Sequence, residues 1–266
     1  MLYRFKIIIM KANIKLVFSK IILITIVLIS TFYFGCKKET VNTQETSTIN
    51  DIDGNVYKTV KIGNQWWMAE NLKVKHYRNG DSIQYVGAKM NSSTDFDSAK
   101  WNNLKTGAYC MKFFYNYNTV SDTRNIAPQG WHIPSDEEWE QLEIYLGMNK
   151  DTASKVNWRG TTEGNKLKSK SDRDWLYSTL GVLTNSSSKA AALYGTNESG
   201  FNAVGTGCMM FFGVPGNPGE YSTAFWWTST QQGNVAWYRY IDLEKANIFR
   251  YYGPKTYGFS IRCIKD

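Results

Sequence analysis

The sequence predicts an α+β fold built from short strands and few helices. Three observations predict it. A helix with a complete start signal stands at Ser135–Leu146, between two groups of strand-like runs. The runs before it are broken by Asp53-Gly54 and Gly63-Asn64, and those after it by Gly233-Asn234 and Gly253-Pro254. Aromatic residues make up 15% of the chain, with ten Trp and seventeen Tyr. Large flat side chains at that density suit either a loop-rich core or an exposed sugar-stacking surface.

The chain opens with a targeting segment over residues 1–35. Lys11, Lys15 and Lys20 precede Ile21–Phe34, an uncharged and mostly apolar run short for a membrane-spanning helix and suited to a signal peptide. Translation from Met10 would keep the whole signal. The run ends at Phe34-Gly35-Cys36, which resembles a bacterial lipobox. That resemblance implies diacylation of Cys36 and attachment to a membrane through acyl chains, each buried methylene adding about 0.8 kcal/mol. Lys37-Lys38-Glu39 is similar to the charged signal that sends Bacteroidetes lipoproteins to the outer leaflet, so the expected location is the outer membrane, with exposure at the cell surface as the finer expectation. The formal charge of +8 changes meaning in this light. The 31 basic residues less Arg4, Lys6, Lys11, Lys15 and Lys20 leave 26 against 23 acidic ones, or +3. The basic balance belongs mostly to export, and no nucleic-acid partner is expected.

The polar stretch from Cys36 to residue 50 reads as an acylated Cys and a flexible tether, and the domain as 51–266. Val56, Lys58, Val60 and Ile62 carry the alternation of a half-buried strand, and Gln65–Met68 a further strand in an antiparallel meander. Trp66 and Trp67 fall on opposite faces, one of them in the core. Asp51-Ile-Asp53-Gly-Asn55 fails as a calcium loop, because the Gly is misplaced and Ile62 stands where a bidentate Glu is needed. Residues 76–105 read as irregular, and the aromatic run Ala108–Tyr117 as core.

Ser135 is a natural N-cap and Glu138 completes a capping box. Asp136, Glu137 and Glu138 suit the positive end of the helix dipole. Trp139, Leu142 and Leu146 share a face, and Gly147 can close the helix. Past the helix, Gly205, Gly207, Gly213, Gly216 and Gly219 suggest close-packed turns without the pattern of a phosphate-cradling loop. Ala224–Thr230, Ala236–Leu243, Ile248–Tyr252 and Phe259–Ile264 are strand candidates.

Three ordered segments carry a resemblance over nearly all of 51–266. Asp51–Leu72, Gly130-Trp-His-Ile-Pro-Ser-Asp-Glu-Glu-Trp139 and Gly258-Phe-Ser-Ile-Arg-Cys263 resemble the opening, centre and ending of the Fibrobacter succinogenes major paralogous domain. Gly164–Ser169 and Asn197–Ala203 resemble its Gly-x-x-Leu-Lys and Asn-x-x-Gly-Phe segments. Many relatives carry a Cys where this chain has Ala127, a departure that bears on the family's usual disulfide. The central and terminal motifs are also similar to segments of formylglycine-generating enzymes and C-type-lectin-like domains. That more distant likeness implies a C-type-lectin-like α+β fold with short antiparallel or mixed strands, few helices and long loops. Neither activity transfers, since the enzyme's cysteine pair and the lectin's calcium–sugar motif are missing.

With Cys36 acylated, Cys110, Cys208 and Cys263 allow one disulfide in three pairings, of which Cys208–Cys263 is favoured. His76 and His132 are the only histidines, and neither has ligand spacing to a Cys nor a nucleophile context. No metal or other cofactor and no catalytic set is expected. The functional expectation is a lipid-anchored surface module that binds carbohydrate or a surface protein without catalysis, with Trp226, Trp227, Trp237 and Tyr238 as candidate contacts. The alternatives are an envelope polysaccharide hydrolase using two carboxylates and an accessory structural lipoprotein.

Overall fold

Turns set by glycine organise the start of the domain. In the computed structural model, which describes residues 44–84, 110–111, 113–171, 174–175, 178–179, 182–183, 195–209 and 222–266, Gly54 and Gly63 adopt φ of 80° and 62°. These left-handed conformations join β1 (Thr46–Asn50), β2 (Val56–Ile62) and β3 (Gln65–Met68) into an antiparallel meander. The signal peptide, Cys36, the tether up to residue 43, most of the irregular 76–105 stretch and Gly213, Gly216 and Gly219 lie outside the described residues. β1 corrects an expectation: residues 46–50 are a strand and not tether, because every one of them pairs with β2. Thr48 and Ile49 are β-branched, and paired backbone groups outweigh a polar composition.

The chain continues through β4 (Cys110–Met111), β5 (Phe114–Asn116), α1 (Tyr117–Val120), β6 (Trp131–His132), α2 (Asp136–Tyr145), α3 (Lys150–Ala153), β7 (Asn157–Arg159) and α4 (Glu163–Leu167). It ends with β8 (Ser178–Thr179), β9 (Val182–Leu183), β10 (Thr223–Gln232), β11 (Val235–Asp242), β12 (Ile248–Pro254), β13 (Gly258–Phe259) and β14 (Ile264–Lys265). One sheet has the order β1-β2-β3-β14-β6, a second β10-β11-β12-β7 and a third β13-β5-β4, while β8 pairs with β9. All these ladders are antiparallel, so the fold is broadly α+β, mostly antiparallel sheet with a few short helices.

The helix signal at Ser135 is realised as expected. The Glu138 N–H donates to Ser135 Oγ at 3.2 Å, and the Ser135 N–H to Glu138 Oε2 at 2.7 Å. Trp139, Leu142 and Leu146 are buried, and Gly147 leaves the helix at φ 116°. Burial of such side chains contributes roughly 1.5–3 kcal/mol each, more than the cap itself.

Strand residues alternate between two cores. Ala224 and Trp226 of β10 join Trp67, Trp139 and Phe201, whereas Phe225 and Trp227 join Tyr115, Tyr117 and Phe259. Trp67 belongs to the former core and Trp66 packs against the latter, so both faces of the strand are covered. Val56 departs from the expected inward face and is 58% exposed. At that end of β2 the inward residue is Tyr57, whose hydroxyl donates to Asp51 Oδ2 at 2.5 Å and accepts from Lys73 N–H at 2.9 Å. Gly253-Pro254 ends β12 and the turn follows it, closed by Tyr257 N–H to Pro254 C=O at 3.0 Å. The expected strand Phe259–Ile264 is two, β13 on β5 and β14 between β3 and β6.

Candidate binding cleft

Four segments far apart in the sequence converge on one cleft of about 1340 Å³. One wall is β1 and β2, with Thr46, Thr48 and Lys58. Ala69–Lys73, the turn at Asn197–Asn202 and the pair Ser260 and Arg262 form the rest, with Phe113 and Phe114 at one side. The turn is held by its own side chains. Asn197 Oδ1 accepts from Asn202 N–H at 2.9 Å, and Ser199 Oγ accepts from Phe201 N–H at 3.1 Å while donating to Lys166 C=O at 2.7 Å. Gly200 sits at φ 68°, and a Cβ there would collide with Gln44 and Val60. Phe113 is a bulky residue at φ 64°, a conformation that costs about 1–2 kcal/mol for an L-residue.

Asn71 organises the floor. Its Oδ1 accepts from Trp226 Nε1 at 3.0 Å and Arg262 Nε at 2.7 Å, and its Nδ2 donates to Ser260 Oγ at 3.1 Å. The Arg262 guanidinium lies 4.3 Å from the Phe201 ring centre and 5.8 Å from that of Trp226. Its Nη1 donates to the carbonyls of Met68 and Phe201, and Nη2 to that of Asn202 at 3.3 Å. Burial pushes its pKa down to about 9, against the pull of the Glu70 charge. Glu70 is the single carboxylate among the described lining residues. It accepts from Lys58 N–H at 3.1 Å and stands 3.5 Å from Lys73 Nζ. Two carboxylates flanking a scissile bond, roughly 5–9.5 Å apart, are what the hydrolase alternative needs.

The other buried charges form a separate network. Glu143 joins Arg239 at 2.7 Å and Arg159 at 2.5 Å. Asp136 joins Arg239 at 2.6 Å and Arg250 at 2.5 Å, and Glu140 stands 3.5 Å from Arg250. Burial opposes ionisation of Asp136, but hydrogen bonds and charge from Arg250 and Arg239 outweigh it and hold the carboxyl below the ordinary aspartate value. These acids are engaged by guanidinium groups, and their role is to lock α2 onto β11 and β12.

The aromatic contacts expected from sequence are mostly core. Trp226 and Trp227 are fully buried and Tyr238 is 8% exposed, so none of these three presents a ring to a ligand. At Ala224–Trp227 of β10 both faces of the strand are covered, one by each core. Trp227 Nε1 donates to Tyr115 C=O at 2.9 Å. Trp237 is half-buried, with Arg250 stacked 3.8 Å from its ring centre. Trp226 does bear on the cleft, from beneath the floor through Asn71. The expected Cys208–Cys263 pairing is not formed: both side chains are buried and no bond joins them. Cys208 is held by its neighbours, Gly207 N–H donating to Thr223 C=O and Met209 N–H to Gly258 C=O, and Cys263 C=O accepts from Met68 N–H. Burial pushes the Cys208 thiol up to about 12 and Cys263 higher still, so both are inert as thiolates.

Each histidine meets carboxylates. His76 Nδ1 is bonded to Asp53, and His132 bridges Asp266 at 2.7 Å and Glu138 at 2.9 Å. Among the described residues no cluster of three or more His, Cys, Asp or Glu has a metal-holding arrangement, and no helix is long and apolar enough to cross a membrane. Sequence reasoning did not single out Asn71 or Arg262 as site residues. The available signal was that the opening and closing motifs, which contain them, are rich in groups that a core alone does not need.

A model of the Fibrobacter succinogenes major domain matches residues 60–265 of the chain. No curated protein and no solved structure matches it.

Proposed function

Because the chain belongs to the Fibrobacter succinogenes major domain family, and segments at both ends and in the middle of that domain meet at one polar cleft, we propose that it is a lipid-anchored envelope module that binds carbohydrate without breaking bonds. The observation that carries this reading is the lining of the cleft. Amides and hydroxyls of Asn71, Asn202, Thr46, Thr48 and Ser260 surround space somewhat larger than the roughly 300–1,000 Å³ of a small-molecule pocket. Such groups exchange hydrogen bonds readily with sugar hydroxyls, and Phe113 offers an apolar side. The lysine-rich start, the apolar run and Cys36 support acylation and an outer-membrane location. We read the architecture as C-type-lectin-like, a reading supported by its short strands, few helices and long connections.

The test is a glycan array with the full chain, kept in detergent. Binding to a defined set of glycans, weakened at least fivefold by Phe113→Ala, is expected. Binding to no glycan, with capture of a cell-surface protein instead, would replace this reading with that of an adhesin. Release of reducing ends from any polysaccharide would replace it with a hydrolase. Mass spectrometry of the mature protein decides the anchor: an unmodified Cys36 rules it out.

A further inference from the structure

Four arginines are buried among the described residues, and their surroundings differ in one respect. Arg159, Arg239 and Arg250 each touch at least one carboxylate. Arg262, 1% exposed, makes no ion pair with a described residue, and it alone of the four lines the cleft. A buried guanidinium without a counter-charge is costly, and carbonyl dipoles compensate only in part. The donors tell the same story. Nε is taken by Asn71, and the two Nη1 hydrogens by Met68 and Phe201. Nη2 meets Asn202 C=O at 3.3 Å with one hydrogen, and its second finds no acceptor among the described residues. Lys58 adds a further cation to the lining, while the charge of Glu70 is engaged by Lys73.

We propose that the cleft takes an acidic saccharide and that Arg262 receives its carboxylate at the cleft floor. This rests on the carbohydrate reading above and narrows it to sugars that carry a carboxyl group. A carboxylate completes the guanidinium's donor set and supplies its missing counter-charge. The hydroxyls of Ser260 and Thr206, 3.4 Å apart beside it, are placed for the neighbouring sugar oxygens. Lys58 stands on the wall where a second acidic unit would pass. An acidic peptide fits the charge but not the surplus of hydroxyl and amide groups, which match a polyol better than a peptide backbone. Since Arg262 is almost wholly covered, only a group that enters the cleft reaches it, so a loose polyanion coat on the surface does not satisfy the site.

Titration calorimetry of the full chain in detergent tests this with paired probes. Short oligogalacturonates, oligoglucuronates and oligomannuronates are each compared with their carboxyl-reduced counterparts, and tetraglutamate is the peptide probe. At least one oligouronate is expected to bind ten or more times tighter than its reduced form. Arg262→Lys, which keeps the charge and loses the Nη2 donor, should remove most of that difference, and Lys58→Gln should weaken binding severalfold and flatten its salt dependence. The ligand-side comparison needs no variant, so a misfolded Arg262→Lys protein leaves the test intact. Equal binding of uronate and reduced forms overturns the carboxylate assignment and leaves carbohydrate binding standing. No binding of either form overturns both. Tetraglutamate binding as tightly as the best oligouronate overturns the saccharide assignment.

Discussion

Replacing Glu143 by Gln should remove a large part of the domain's stability without altering its shape. The side chain is fully buried, with Oε1 accepting from Arg239 Nε and Oε2 from Arg159 Nη2. Gln occupies nearly the same volume but carries no charge, and its amide end cannot accept from an arginine as a carboxylate oxygen does. Arg239 then keeps only Asp136 as an ion-pair partner, and Arg159 loses the one carboxylate it touches. Breaking one partner out of a buried pair costs about 3–5 kcal/mol. Against a typical total of about 5–15 kcal/mol that is a major loss. At roughly 2–4 °C per kcal/mol for a domain of this size, the melting temperature should fall by about 6–20 °C. Trp139, 5.9 Å from the Arg239 guanidinium, gives a fluorescence signal for both urea and thermal unfolding. Glu137→Gln, on the exposed side of the same helix, is the control and should stay within about 0.5 kcal/mol of the parent. A Glu143→Gln protein within about 1 kcal/mol of the parent would refute the picture of a closed, charged network.

Three further outcomes are expected. For His132, burial lowers the pKa, but its bonds to Asp266 and Glu138 and their charges outweigh this, and the folded value is raised above the ordinary 6.5. The ring's stabilising contribution is therefore complete below 6.5 and lost as pH rises through the folded value; being over a third exposed, it is worth about 0.2–1 kcal/mol. His132→Gln should remove that pH dependence between pH 6 and 8 in urea titrations, and an unchanged profile would assign it elsewhere. Ser135→Ala should cost about 1 kcal/mol by deleting the cap to Glu138 N–H, read from the urea midpoint. Cys263 should resist a thiol reagent in the native protein and react on unfolding, because its thiol is wholly buried and burial disfavours the thiolate. Labelling of Cys263 in the native protein, read by mass, would contradict this.

What could be read from the sequence was local. Ser135 and Glu138 are three residues apart, so their reciprocal bonds depend on nothing remote, and the turns at Gly54, Gly63 and Gly233 need only their own φ. What could not be read was pairing over distance. Asp136 looked like a residue serving the helix dipole, yet its partners, Arg239 and Arg250, lie about a hundred residues on. A clue was present, because Arg239 stands inside the apolar run Trp237-Tyr-Arg-Tyr-Ile241, where a charge must find a counter-charge. Phe225-Trp-Trp227 reads equally as exposed platform or as a strand covered on both faces, since periodicity alone does not say how many faces are covered. The cleft was invisible for the same reason: Asn71 and Arg262 meet only after the sheet has formed.

The position of β14 has a bearing on how this protein folds. Ile264 pairs with Trp67 on one side and His132 on the other, so the five-stranded sheet has a gap until this distant segment has come in. Contacts of such long sequence separation form slowly. Removing Ile264 and Lys265 would take out the strand that joins β3 to β6 and open the sheet at its middle.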